Sequence, residues 1–278
     1  MSIEQKKYHS DDEQAISQPL FIIKIGGNII DNPVALDAFL KDFSAIKAAK
    51  ILIHGGGKIA TKTGERLGIV SKYIDGRRIT DDATIDLVTM VYGGLVNKKL
   101  IAQLQALGTN AIGLTGADAN IIPAEKRPVK AIDYGWVGDI DPSKLNSQPL
   151  VSFIEQGIIP VFAPLTHDGK GHILNTNADT IAASLAVALS KHFRVRLIYC
   201  FEKKGVLEDV NRDDSVIRKL DKELYTKLKD EKKLFEGILP KIDNAFDAIR
   251  SGVQEVLIGD AKDLIKNTTN NNEGTLIY

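Results

Sequence analysis

The sequence predicts an α/β fold, a mostly parallel sheet with helices on both faces. Two observations carry this: short apolar segments alternate with amphipathic ones along the chain, and glycine clusters follow the first two apolar segments directly. The first strand, residues 20–25, is apolar except for Lys24 and ends at Gly26-Gly27. The second, 49–53, ends at His54-Gly55-Gly56-Gly57. Further strands are expected at 111–114, 159–163, 196–201 and 255–258. Helical spacing appears at 33–46, 58–67, 81–107, 150–156, 180–189, 221–230, 242–251 and 260–266. Residues 131–140, with Gly135 and Gly138, read as an inserted hairpin, and Thr166 to His172 as a tight turn between short strands. No repeat or Ser/Pro linker divides the chain, so that turn is the best place for a boundary between two lobes.

Composition narrows the function. The 278 residues suffice for one large α/β domain or two lobes. Lys plus Arg equals Asp plus Glu at 36 each, so no global field recruits nucleic acid or an acidic membrane surface. A single cysteine, Cys200, excludes an intramolecular disulfide and a cysteine zinc cluster, and fits a reducing compartment. No apolar run reaches membrane-spanning length. Residues 1–18 read as a polar arm without a signal core, with a helix as one option at 11–16. The expected setting is the cytoplasm.

The chemistry starts at Lys24. A charged group in an apolar strand is costly unless something pairs with it. The glycines after it let backbone N–H groups approach an anion closely. Lys241, far downstream in Leu239-Pro240-Lys241, is a second cation, and two lysines with two glycine turns suggest a gripped polyanion. The His54–Gly57 cluster is not a Walker loop, because Ile59 follows Lys58 where Ser or Thr is required, and it lacks the third glycine of a dinucleotide fingerprint. Asn175-Thr176-Asn177-Ala178-Asp179 precedes an Ala-rich helix. One of these residues can cap it, Asp179 can hold lysine ammoniums, and the two asparagines can bind a polar substrate. Arg78 suits a bidentate grip on a carboxylate, or is a solvated arginine before a Thr80 helix cap. Lys203-Lys204 reads either as a solvated pair or as the border of a nucleotide. The histidines have no metal-ligand spacing, and Cys200 has no nucleophile motif. These residues read as a phosphoryl-transfer site.

Seven segments then stand in a familiar order: Lys24-Ile25-Gly26-Gly27-Asn28, His54-Gly55-Gly56-Gly57, Gly76-Arg77-Arg78-Ile79-Thr80-Asp81, Val96-Asn97-Lys98-Lys99, Gly113-Leu114-Thr115-Gly116, Asn175 to Asp179, and Leu239-Pro240-Lys241. Together they resemble the amino-acid kinase family, and within it the kinases of N-acetylglutamate, over residues 21–278. The resemblance implies a three-layer αβα sandwich with an open central sheet in a domain spanning 19–278. Residues of about 19–170 would form an acylglutamate lobe and about 171–278 an ATP lobe. It implies that Lys24 and Lys241 stabilise the transferring phosphoryl, with Asp179 orienting both. Gly56, Gly57, Arg78 and Asn175 would hold the substrate, and Gly26 and Gly27 the phosphates. Glu202, Lys203, Lys204, Gly205, Val206, Leu207 and Phe235 would border ATP. Magnesium would ride on the ATP phosphates, with no metal site in the protein, and a homodimer would form through the amino-terminal lobe.

The implied reaction is ATP-dependent phosphorylation of the γ-carboxylate of an N-acylglutamate, acetyl by default with succinyl as the alternative. Kinases of aspartate, glutamate or carbamate, and a nucleotide sensor without turnover, are the rivals. The chain departs from the family at three places. Phe201-Glu202-Lys203-Lys204-Gly205 replaces a Ser/Thr-Asp-Val-x-Gly run, and Lys58 replaces a proline. The tail Gly259-Asp260-Ala261-Lys262-Asp263 lacks the pattern associated with arginine inhibition. A dimer indifferent to arginine is therefore expected.

Overall fold

β1 (Pro19–Ile25) sends Leu20 and Ile22 into one core and Phe21, Ile23 and Ile25 into another, the period-2 alternation of a pleated strand. Both rows are buried because helices cover both faces. The computed structural model describes residues 18–278 except 75, 210, 213 and 235–237, so the polar arm and its optional helix lie outside the described residues.

From β1 the chain turns through α1 (Gly27–Ile30) into α2 (Pro33–Ala45), then β2 (Ala49–Ile53) and α3 (Gly57–Arg66). A short ribbon, β3 (Tyr73–Ile74) with β4 (Arg77–Arg78), leads into α4 (Asp82–Val88). The helix expected at 81–107 is not uniform. Between α4 and α5 (Asn97–Ala106) it widens into a π-helical segment, Thr89–Val96. The carbonyl-to-amide step lengthens there across Gly93-Gly94, whose missing side chains ease a wide turn.

β5 (Ala111–Leu114) is followed by a hairpin of β6 (Ala124–Lys126) and β7 (Gly138–Ile140). The hairpin therefore starts earlier than the expected 131–140. Its loop is drawn down by Trp136, whose backbone N–H donates to the Thr80 carbonyl at 2.7 Å. After α6 (Gln148–Glu155) and β8 (Ile159–Phe162) come β9 (Leu165–His167) and β10 (Ile173–Asn175), antiparallel across the expected tight turn. Then follow α7 (Ala178–Leu189), β11 (Arg194–Phe201), β12 (Lys219–Leu220), α8 (Lys222–Asp230), α9 (Leu239–Arg250), β13 (Glu255–Asp260), α10 (Leu264–Asn267) and β14 (Thr275–Ile277). The helix expected at 260–266 starts late, because β13 runs on to Asp260, whose carboxylate accepts from the Lys262 N–H at 2.9 Å.

Eight described strands form one sheet in the order β12-β14-β13-β11-β1-β2-β8-β5, parallel except for the β13–β14 pair. The chain is thus an α/β protein with an open, mostly parallel sheet. The first face packs under α6, α7, α8 and α9, and the second under α2, the long interrupted helix and α10. No helix among the described residues is long and apolar enough to cross a membrane. Lys50 on β2 is buried, and its Nζ lies 2.7 Å from the Phe43 carbonyl and 2.5 Å from that of Ile46, closing the C-terminal end of α2. Burial, and then Lys47 nearby, pull its pKa down to about 8.

Strand order positions the site. β1 lies between β2 on one side and β11 on the other; the chain leaves β1 toward β2 but leaves β11 toward β12 and β13, so crossovers run in opposite directions from the β1–β11 boundary. Open α/β sheets bind ligands at the carboxyl ends of strands beside such a point.

Candidate active site

Lys24 continues the Leu20–Ile22 row of β1 and so points to the α7 side of the sheet. The start of α7 is fixed by Asn177, whose side-chain oxygen accepts from the N–H groups of Asp179 at 2.7 Å and Thr180 at 3.3 Å. Asn177 is therefore the helix cap and not one of a substrate-binding pair. The cap sets Asp179 in the first turn. There Lys24 Nζ lies 2.7 Å from Oδ1, and Lys241 Nζ, from the first turn of α9, donates to Oδ2 at 3.0 Å. Burial would raise the Asp179 carboxyl, but the Lys24 and Lys241 ammoniums outweigh it and hold it below the ordinary carboxylate value. The buried Tyr199 hydroxyl donates to the Asp179 carbonyl at 3.3 Å.

The two glycine turns face this cluster. Gly26 and Gly56 are the N-cap residues of α1 and α3, and neither brings a side chain to satisfy the first N–H groups of its helix. With Gly27, Gly55, Gly57, Phe201 and Glu202 they line a cleft of about 350 Å³. An anion in it meets two helix N-termini. A Cβ at Gly56 would come 3.0 Å from the Tyr92 ring, so a larger residue there would have to displace that ring. His54 donates from Nδ1 to the Gly55 carbonyl at 2.6 Å, and its Nε2 faces Asn97 Nδ2 at 3.2 Å. Burial lowers its pKa to about 4, so it packs neutral and is no base. Cys200 also borders the cleft, but burial pushes its thiol up to about 12.

Arg78 is buried rather than solvated. Its guanidinium donates to the Gly57 carbonyl at 2.9 Å, to Thr61 Oγ1 at 3.0 Å and to Ser71 Oγ, and lies 4.8 Å from the Tyr73 ring centroid. Asp81, not Thr80, caps α4 by accepting from the Thr84 N–H. Thr80 Oγ1 instead accepts from Asn175 Nδ2 at 3.0 Å, which ties β10 to the Arg78 segment. Arg78, Asn175 and Gly57 thus form one connected wall.

Glu202, Lys203, Gly205, Val206 and Leu207 line a second cleft of about 230 Å³ together with Lys241, Ile238 and Ile258. Gly205 abuts β14, where a Cβ would fall 2.6 Å from Thr275 Oγ1, and Val206 N–H donates to that hydroxyl at 2.8 Å. Lys204 is exposed and does not line the cleft. Phe235 lies outside the described residues. Sequence reasoning missed Phe201, Tyr92, Ile238 and Ile258. Only for Phe201 was there a signal, its place at the head of the run that departs from the family's Ser/Thr-Asp-Val-x-Gly pattern.

Two clefts that share Phe201 and Glu202, beside one lysine near the end of β1 and another in the first turn of α9, are a site for moving a phosphoryl group, and known proteins share this chain's pattern. The amino acid kinase profile matches residues 19–260. The chain belongs to the amino acid kinase family. This amino acid kinase is 56% identical over 250 residues to the acetylglutamate kinase of Cytophaga hutchinsonii, covering 90% of this chain and 94% of that one. It is 53% identical to the acetylglutamate kinase of Parabacteroides distasonis, covering 89% and 96%. Among solved structures it superposes on smu.665 from Streptococcus mutans with a TM-score of 0.73 at 29% identity, covering 93% and 98%.

Proposed function

We propose that this kinase transfers the γ-phosphoryl group of ATP to the side-chain carboxylate of N-acetyl-L-glutamate, in arginine biosynthesis. The observation that carries the reading is Asp179 holding Lys24 and Lys241 where the two clefts meet, in a chain more than half identical to an acetylglutamate kinase. In the reaction a carboxylate oxygen bonds to the γ-phosphorus and the bond to the ADP oxygen breaks, giving an acyl phosphate and ADP. A carboxylate is already ionised at neutral pH, so no general base is required. What opposes the step is repulsion between two anions and charge spreading over the phosphoryl oxygens. Alignment and positive charge are therefore the catalyst's task.

Lys24 and Lys241 supply that charge, Asp179 orients them, and the Gly26, Gly27 and Gly56 loops offer backbone N–H groups. Gly56, Gly57 and Arg78, in a lobe of about residues 19–170, hold the acylglutamate together with Asn175, which follows that lobe at the end of β10. Glu202, Lys203, Gly205, Val206 and Leu207 border ATP in the remainder. Magnesium arrives on the ATP phosphates. Asp179, the carboxylate of the cluster, is engaged by both lysines. The protein acts in the cytoplasm.

A panel of N-acetylglutamate, N-succinylglutamate, glutamate, aspartate and carbamate at equal concentration, read by ADP release, tests the reading. N-acetylglutamate is expected to give the highest kcat/KM. ATP turnover with none of them would leave only a nucleotide sensor.

Arg78→Lys tests the substrate wall. Lysine lacks the planar fork whose two nitrogens reach Ser71 on one side and Gly57 and Thr61 on the other, so the KM for acylglutamate should rise roughly tenfold while that for ATP barely moves. Equal rises in both would assign Arg78 to global structure. The homodimer through the amino-terminal lobe is tested by sedimentation, with initial rates at millimolar arginine. A dimer with unchanged rates is expected, and a hexamer with sigmoidal inhibition would overturn it.

A further inference from the structure

We propose that Phe201 is a positioning residue that aims both lysine ammoniums at the transferring phosphoryl group; the proposal rests on the kinase reading above. Phe201 ends β11 and borders both clefts, so its ring stands where the phosphoryl group must cross. Its centroid lies 5.7 Å from Lys24 Nζ and 4.2 Å from Lys241 Nζ. One aromatic ring thus attends the same two cations that Asp179 pairs.

The choice of an aromatic group has a chemical consequence. Each ammonium carries three N–H donors. Asp179 engages both ammoniums, and a second carboxylate or hydroxyl beside them would take further donors, the carboxylate adding charge that repels the incoming phosphates. An aromatic ring attracts a cation through its quadrupole, with no net charge and no oxygen acceptor. Phe201 therefore restrains the two side chains while the remaining N–H groups stay directed at phosphoryl oxygens. The residue that departs from the family's Ser/Thr pattern is the one that both lysines sit over.

Phe201→Leu keeps apolar bulk and removes the quadrupole, whereas Phe201→Tyr keeps both and adds its hydroxyl in the ring plane, off the face that attracts a cation. Two measurements separate this inference from the choice of acceptor. In steady state with N-acetylglutamate, Phe201→Leu should lose about tenfold in kcat, the scale of one or two desolvated cation–π contacts. Both KM values should stay within about twofold and Phe201→Tyr should restore kcat. In calorimetry with MgADP, adding aluminium fluoride, a planar mimic of the moving phosphoryl, should tighten binding by wild type and Phe201→Tyr. In Phe201→Leu that gain should fall about tenfold while MgADP alone binds as before. The calorimetric arm needs no acceptor, so it decides the role of Phe201 even if wild type ignores every acylglutamate. Undiminished kcat and fluoride gain in Phe201→Leu would overturn the proposal. So would equal losses in the Leu and Tyr variants, or a rise in KM alone, each of which marks Phe201 as only a packed wall. Melting temperatures within a few degrees of wild type confirm that the variants fold.

Discussion

Replacing Lys241 by alanine should lower kcat roughly 10²–10³-fold, about 2.7–4 kcal/mol of transition-state stabilisation, the scale set by losing one preorganised donor to developing charge. Lys24→Ala should behave alike. Their ammoniums converge on Asp179 from different elements, β1 and α9, so each lysine approaches the crossing point from its own side. Removing one leaves Asp179 paired with the other, which preserves the fold around it. The loss should therefore appear mainly in kcat, with KM for both substrates changing little. Steady-state kinetics with both substrates varied checks this. Near-normal turnover in either variant would remove that lysine from the mechanism.

Asp179→Asn should be the most damaging single change to stability within the site. The carboxylate is mostly buried and is the counter-charge for two ammoniums, of which Lys24 is itself buried. Asparagine keeps the shape but removes the charge. Breaking a buried pair by deleting one partner costs about 3–5 kcal/mol. With Lys241 partly solvated, the lower end, about 3 kcal/mol, is expected in urea unfolding. Turnover should fall as well, because both lysines lose their shared anchor. The pH dependence has a definite sign. The folded pKa of Asp179 lies below its ordinary value of 3.8, so its stabilisation is fully present above that value and is lost as pH falls through the lowered one. The stability gap between wild type and Asp179→Asn should stay flat from pH 8 to about 5 and shrink only in acid. A gap that changed near neutrality would show that another group titrates with the site.

Much of this site was legible residue by residue. Lys24 in an apolar strand before two glycines demanded a partner, and Asp179 ahead of an Ala-rich helix was an available one. Arg78 was less legible, because spacing alone fits a solvated arginine as well as a buried one. Its contacts with Gly57, Thr61 and Ser71 come from segments up to 21 residues away. The strands β12 and β14 escaped notice for a related reason. They are two and three residues long, and they form because the sheet edge beyond β13 supplies hydrogen-bond partners.

The amino-acid sequence by itself determined the alternation of strands and helices, the glycine turns at strand ends and the chemical inventory of a phosphoryl-transfer site. These follow from local periodicity and backbone freedom, which neighbouring residues set. Tertiary structure alone decided that Arg78 is buried, that Lys50 is buried against the end of α2, and that the long helix widens at residues 89–96. It also decided that Lys24, Lys241, Asp179 and Phe201 meet, although they come from four separate elements. Such contacts depend on strand order and register, which are fixed by burying both faces of the sheet at once rather than by any local run of residues.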